Sequence, residues 1–600
     1  MGFIKQTNKP LIFFQVTDTE SVRPEKWLDE VKALGTKYQG DFLLHTGDII
    51  GVKEHSINMP SCGMDVFAVP GNHDMKRTGT KNTQAEYEKY FGPVYYSFDA
   101  WNLRFLQVVY ERNLKDPQKQ LSWLKNELAL LPRNKKIVIV RHEPPQYSDN
   151  LIKFLLEKHS NKIAGFICGH THSHLTRTIK NIPIWETVST PAGGLDHSPR
   201  AFRLFKEKNG KLLSKTIYSN PLKVKDKVVA IDSSAPNVNL TSKLKNIKSP
   251  LSLKWMVKTN GVIKHAAPII AKSRVFAAIN NEDDPKGSYL LALDAFSGKT
   301  LWKTMLGSPV KGGIVGDNKN IYSCGVDGVV QAISQEDGKL SWLTKIKDVN
   351  KTNGMYGSLT LFNHKLYLYN ESPIIIDCKT GKIIYQGKST YESGGVWHGG
   401  VTIADTIGVS GVNWRYGLKG FDLTTGKILW SLSKNRDFTY LDAGPTFYDG
   451  KLYFKGRKKI FIIDPKLGEI INETDKNVIM ETPSRPVVTQ KYIIFGSIDG
   501  IHAYNRNSLT KVWSYKPGRS LIPSTGYCRS GYEVTASPLV VGNTVICGAL
   551  DGKLYLLDLD TGKKIQEIQL DSQIMAQCAL LGNACVVTTL NGNIYMLTGR

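Results

Sequence analysis

Eight cysteines in 600 residues, no two adjacent and none in the close pairs that bind zinc, exclude both a dense disulfide frame and a zinc knuckle. The nearest two are Cys578 and Cys585. No apolar run is long enough to cross a bilayer, Leu11 to Val16 being far too short. Met1 to Lys9 is polar and does not look like a signal peptide. Acidic residues are the minority charge, 53 Asp and Glu against 78 Lys and Arg, for a formal charge of +25. Such a balance attracts phosphorylated polymers, anionic surfaces or nucleic acid. Yet the basic residues are dispersed, as in Lys206 to Lys211 and Lys455 to Lys459, without an arginine-rich tract or a nucleic-acid motif. Nucleic acid is therefore not an expected partner. What remains is an ordinary globular composition, 41% apolar and 22% charged, in a chain too long for one core.

The informative residues lie in five short segments, each placing acids, amides or imidazoles just after an apolar run. They are Asp18-Thr19-Glu20, Gly47-Asp48, Gly71-Asn72-His73-Asp74, Arg141-His142-Glu143-Pro144 and Gly169-His170-Thr171-His172. The preceding runs, Leu11 to Val16, Phe42 to Leu44, Val66 to Val69, Ile137 to Val140 and Ile163 to Ile167, read as strands of a sheet buried on both faces. Side chains beyond the carboxyl ends of such strands converge in one crevice. Each segment alone has a plainer reading. His142 and His170 could be core histidines, Asn72 a turn residue and Asp48 the cap of a helix starting at Ile49. His45, His55, His174 and His197 fit no segment and stand as surface or supporting residues.

In order and spelling the five segments resemble the motifs of the calcineurin-like metallophosphoesterases, over roughly residues 10 to 205. The resemblance implies a four-layer α/β/β/α sandwich holding two divalent or trivalent metal ions, manganese, iron or zinc. Asp18, Asp48 and His172, with position 20, would hold one ion. Asp48, Asn72, His142 and His170 would hold the other, so that Asp48 bridges them. His73 would protonate or stabilise the leaving oxygen, with Asp74 orienting its ring. The pattern has His where this chain has Glu20; a carboxylate there would favour harder ions over zinc, and the alternative is a solvated loop residue. The loops Asn113 to Gln120 and Ser189 to Pro199 would select the leaving group.

After about residue 250 a phrase repeats, as in Asp294-Ala295-Phe296-Ser297-Gly298-Lys299-Thr300-Leu301-Trp302 and Asp422-Leu423-Thr424-Thr425-Gly426-Lys427-Ile428-Leu429-Trp430. Gly298, Gly338, Gly381, Gly426 and Gly468 recur at the period of one four-stranded propeller blade, about 40 to 45 residues. Each Asp-to-Gly segment would make an outer hairpin, and each Trp would wedge between adjacent sheets. Outer strands near residues 255, 302, 342, 385, 430, 472, 513 and 566 count eight blades, or seven if one interval is irregular. The strand around Trp255 would pair with the last hairpins, and Ser520 to Val534 would form an insertion. The repeats resemble those of pyrroloquinoline-quinone dehydrogenases and of the bacterial outer-membrane assembly lipoprotein, which favours a periplasmic or exported protein.

The domain reading is a phosphoesterase over 1–220, a linker over 221–250 and a quinoprotein-like propeller over 251–600. The function expected is hydrolysis of a phosphate mono- or diester by metal-activated water. The propeller would position the substrate or dock a protein or acidic partner. The alternatives are a non-catalytic recognition protein with a degenerate phosphoesterase half and a quinone-dependent dehydrogenase. No adjacent cysteine pair is present to cover a quinone, so none is expected.

Overall fold

Every apolar run singled out above becomes a strand in the computed structural model. It describes residues 2–4, 9–19, 25–75, 83–146, 148–219, 221–240, 249–284, 286–347, 349, 354–388, 399–411, 417–432, 436–438, 443–475, 480–522 and 531–599. Met1–Pro221 with Glu282–Pro285 make one compact unit, and Leu222–Asn281 with Lys286–Arg600 a second. Among the described residues no helix is long and apolar enough to cross a membrane.

The first unit begins with β1 (Gly2–Ile4), β2 (Ile12–Val16), α1 (Glu25–Tyr38), β3 (Phe42–His45), α2 (Val52–Asn58), β4 (Asp65–Ala68) and α3 (Gln84–Phe91). It continues through β5 (Tyr96–Ala100), β6 (Leu103–Gln107), α4 (Pro117–Ala129), β7 (Lys136–Val140), α5 (Asn150–Lys158) and β8 (Ile163–Cys168). Two hairpins end it, β9 (Leu175–Ile179) with β10 (Ile182–Glu186), and β11 (Ala201–Lys208) with β12 (Lys211–Tyr218). The strands form two sheets, not one: β1-β5-β6-β7-β8-β10-β9 and β12-β11-β2-β3-β4. Three of the five motif strands belong to the smaller sheet and two to the larger.

Period-two alternation explains why these strands read as unbroken apolar runs. Phe13 points between the sheets, where its ring stacks 4.8 Å from Phe42 and 4.9 Å from Phe205, while Phe14 turns outward to Tyr38 of α1. Phe98 and Phe105 of the other sheet stack at 4.8 Å, and Phe105 meets Phe42 edge-on at 5.4 Å. On β7, Val138 and Val140 join this aromatic layer, whereas Ile137 and Ile139 pack with Leu151, Ile152, Leu155 and Leu156 of α5. Both faces of both sheets are thus buried, giving the α/β/β/α order. Asp149 caps α5, accepting from the Leu151 and Ile152 amides at 3.0 and 3.3 Å.

The second unit is an eight-bladed β-propeller, each blade a four-stranded antiparallel sheet. Its last blade takes three strands from the end of the chain, Ala579–Leu581, Ala584–Thr588 and Ile594–Thr598. The fourth, Ser252–Val257, comes from the start of the unit. The repeating turn works as its residues require. In the first full unit Gly298 has φ 71°, its amide bonds the Asp294 carbonyl at 2.9 Å, and Asp294 Oδ1 accepts from the Ser297 amide at 2.8 Å. Trp255, from the outer strand of the preceding blade, lies over that glycine and donates its indole N–H to the Ala295 carbonyl at 2.9 Å. Trp302, Trp342, Trp430 and Trp513 make the same bond one blade further on. A β-carbon on the glycine would meet the indole, so the two residues recur together. Of the insertion expected over Ser520 to Val534, residues 523–530 lie outside the described residues, as do 241–248 of the linker.

Candidate metal centre

The two sheets carry their motif loops to a common point. Four of the side chains there stand on left-handed backbone, Asp18 (φ 49°), Asp48 (φ 52°), His170 (φ 70°) and His172 (φ 46°). Such conformations cost about 1 kcal/mol or more each and persist where the surroundings over-determine them. Here close contact does so. A β-carbon on Gly71 would fall 2.2 Å from Asp48 Oδ1, and one on Gly169 would fall 1.9 Å from Thr17 Oγ1 and 2.7 Å from Asp18 Oδ2. Asp48 caps no helix, because α2 starts at Val52 behind Gly51.

Asp48 is buried at the centre. Its Oδ1 accepts the His73 amide at 2.8 Å, and its Oδ2 lies 3.1 Å from His142 Nε2 and 3.8 Å from His73 Nε2. His142 donates Nδ1–H to the Thr46 carbonyl at 2.7 Å, which leaves Nε2 turned to the carboxylates. Asp18 accepts the Thr17 hydroxyl at 2.7 Å and the His170 amide at 3.1 Å on Oδ2. Its Oδ1 lies 3.1 Å from His172 Nε2 and 3.9 Å from His142 Nε2. His170 Nδ1 is 3.0 Å from Asn72 Oδ1, and its ring packs edge-on 5.0 Å from that of His142. All described site residues expected from the sequence therefore meet at one place. Glu20 lies outside the described residues.

Asp74 differs from its expected role. Rather than turning toward the His73 ring, its carboxylate accepts the amides of Ile49 (3.0 and 3.1 Å), Ile50 (3.2 Å) and Gly71 (2.9 Å). It ties together the loops carrying Asp48 and Asn72. Burial, and then the neighbouring charge of Asp48, push its carboxyl up to about 7.

Sequence reading also passed over the polar links beneath the site. Gln15, a lone polar residue in an apolar strand, donates to Thr46 Oγ1 at 2.9 Å and to the Cys168 carbonyl at 2.8 Å and accepts from Thr187 Oγ1 at 2.6 Å, which joins the two sheets. In the Ser189 to Pro199 loop, Ser189 Oγ donates to the Asp18 carbonyl at 2.7 Å. Asn113, in the other loop expected to select the leaving group, donates to Glu143 Oε1 at 2.6 Å. None of the four unassigned histidines is at the surface. His45, His55, His174 and His197 are all buried, and His174 Nε2 pairs with Thr216 Oγ1 at 2.9 Å.

The donor set fits metal ions. One ligand atom each from Asp48, His142 and His170 lie within 4.8 Å of one another. Asp18 Oδ1 and His142 Nε2 are buried and face other candidate ligands, His172 Nε2 and Asp48 Oδ2, each at 3.1 Å. Buried carboxylate oxygens and imidazole nitrogens gathered face to face mark a cation position. Without metal, protons do part of that work. Against the effect of burial, the His142 charge holds Asp48 below the usual carboxylate range, and His172 and His142 do the same for Asp18. His142 in turn is held well above its usual value by Asp48 and Asp18, although burial opposes this. The two carboxylates thus favour the protonated form of His142 in the metal-free protein, and a cation arriving at Nε2 must displace any proton held there. Manganese binding is expected to release protons from this ring, so that affinity rises with pH. Calorimetry in buffers of different ionisation enthalpy measures it; binding without proton release would show His142 to be neutral.

Residues 13–174 match the family described as Calcineurin-like phosphoesterase. Residues 219–395 and 416–595 match the family described as Outer membrane protein assembly factor BamB. Similar solved structures include BamB from Moraxella catarrhalis, 13% identical over 58% of this chain and 100% of that one, with a TM-score of 0.45. A europium-containing methanol dehydrogenase is 13% identical over 58% and 93%, TM-score 0.45. The quinohemoprotein alcohol dehydrogenase from Comamonas testosteroni is 13% identical over 60% and 79%, TM-score 0.45. No curated protein matches the chain.

Proposed function

This chain belongs to the outer membrane protein assembly factor BamB family and carries a calcineurin-like phosphoesterase domain, and from that premise we propose that the domain is a dinuclear metal-dependent hydrolase of phosphate mono- or diesters. The observation that carries the reading is the convergence of Asp18, Asp48, Asn72, His142, His170 and His172, with buried ligand atoms turned toward one another. Asp18, Asp48 and His172, with Glu20, would hold one cation, and Asp48, Asn72, His142 and His170 the other. Bound there, two cations supply Lewis acidity that lowers the pKa of water and offsets charge on the phosphoryl oxygens.

The protein's own groups do the rest. Thr46 fixes the His142 tautomer so that Nε2 faces the site, and the His73 amide orients the Asp48 carboxylate. The His73 ring is 37% exposed at the rim of the site, where it can give a proton to a departing alkoxide. Asp74 acts as a positioning residue through the amides it gathers. The propeller is read as a docking module for a protein partner, in keeping with the family it belongs to.

The test uses the full chain, metal analysis and aryl phosphate mono- and diesters with added manganese. Two ions per chain and turnover of at least one ester class are expected. Metal-replete protein inert toward both would overturn the reading and leave a recognition protein with a degenerate site.

A further inference from the structure

Two histidines that the metal site does not use are joined through the residue between its first two acidic positions. Thr19 Oγ1 lies 3.0 Å from His45 Nε2 and 3.3 Å from His55 Nε2. All three side chains are buried, and the indole of Trp27 stacks on the His55 ring at 6.2 Å. The far nitrogens fix the direction of each bond. The Gly47 amide, which can only donate, points at His45 Nδ1 at 3.2 Å. A neutral His45 therefore carries its proton on Nε2 and donates to Thr19. The Gly51 carbonyl, which can only accept, lies 3.2 Å from His55 Nδ1. His55 is thus protonated on Nδ1, and its Nε2 accepts the Thr19 hydroxyl proton. The chain of bonds runs Gly47 to His45 to Thr19 to His55 to Gly51, whose carbonyl also accepts the His55 amide at 3.0 Å. The Asp18 amide also donates to the Gly47 carbonyl at 3.0 Å.

This circuit starts and ends on the loop that bears Asp48, and its midpoint is the neighbour of Asp18. It also shows that neither imidazole replaces the one missing at position 20, because His45 Nε2 bears a proton and His55 Nε2 is already an acceptor. We propose that Thr19, His45 and His55 are positioning residues that lock the Asp18 and Asp48 loops together and thereby set the separation of the two carboxylates that receive metal. The three side chains are buried, so a bond that is removed leaves a polar group to be desolvated at a cost.

The inference rests on the phosphoesterase reading, and its test separates the two. In the full chain, Thr19→Val keeps the shape of the side chain but deletes both bonds, while Thr19→Ser keeps the hydroxyl. Manganese titration by calorimetry is expected to show about tenfold or greater loss of affinity for Thr19→Val, as for other residues supporting metal ligands, and near-wild-type affinity for Thr19→Ser. In wild-type protein labelled with nitrogen-15 histidine, His45 is expected to be protonated at Nε2 and His55 at Nδ1. Wild-type affinity in a folded Thr19→Val, or the opposite tautomers, would overturn the circuit. If wild-type protein bound no manganese, the hydrolase reading would fall and with it the metal-positioning role, while the tautomers would still report whether the circuit exists.

Discussion

Replacing Asp48 with alanine is expected to lower phosphoester turnover on the order of a thousandfold or more and to remove both cations, because this carboxylate is the ligand proposed to be shared between them and sits beside His142 and His170. The same change has a signature in the metal-free protein. Asp48 is held below the usual carboxylate range, near 3.8, so its contribution to stability is present above that pH and lost as pH falls through the folded value. His142 is raised above 6.5, so its contribution is complete below 6.5 and lost as pH rises through its folded value. The pair therefore stabilises the fold from about pH 4 upward until His142 loses its proton. Asp48→Ala is expected to destabilise most within that window, by about 3 kcal/mol, the cost of stranding one member of a buried ion pair. Above it the loss shrinks. Denaturant unfolding followed across pH, beside an ester hydrolysis assay, measures both effects. A variant keeping a tenth of wild-type turnover would show that Asp48 is not the shared ligand.

Gly47→Ala is expected to be nearly as damaging although it removes no functional group. Gly47 has φ 96°, a conformation costly for any residue with a β-carbon. That carbon would fall 2.6 Å from the Gly71 amide nitrogen and 2.8 Å from His142 Nδ1. Neither is the free end of a flexible side chain: one is backbone, the other a ring pinned to the Thr46 carbonyl. Relief would have to move the loop of Asp48, the loop of Asn72 or the His142 ring. The expected cost is about 3 kcal/mol or more, seen as a drop of roughly 6 to 12 °C in the unfolding midpoint of the phosphoesterase domain, with metal content falling as well. Gly210→Ala provides the control, since Gly210 has φ 74° with nothing within 4 Å of an added β-carbon. There only the backbone term applies, about 1 kcal/mol. A Gly47→Ala protein as stable as Gly210→Ala, with two ions bound, would show that the loops yield more readily than their packing indicates.

The motif strands and the blades were legible because each rests on local chemistry. Apolar runs such as Ile137 to Val140 and Ile163 to Ile167 ended at or within one residue of the strand ends, and the Gly and Trp spacing counted eight blades, Tyr385, Asn472 and Gln566 occupying the position where tryptophan is absent. The closing blade was legible too, since the strand around Trp255 had no other partner within its own repeat. What could not be read was the division of motif strands between two sheets, because a strand buried on both faces looks the same in either. The carboxylate of Asp74 likewise gave no sign that it would gather backbone amides instead of meeting the next ring.

Residue identity and spacing alone determined which groups have the chemistry to hold metal and how often the propeller repeats, since both depend on neighbours within a few positions. Only the tertiary structure decided that His45 and His55 meet at Thr19, that Gln15 joins the sheets, and that His142 offers Nε2 rather than Nδ1. Those outcomes depend on which buried donor finds which acceptor across 26 to 172 residues of chain. In a dry interior each such group must be paired, and folding, not spacing, selects the partner.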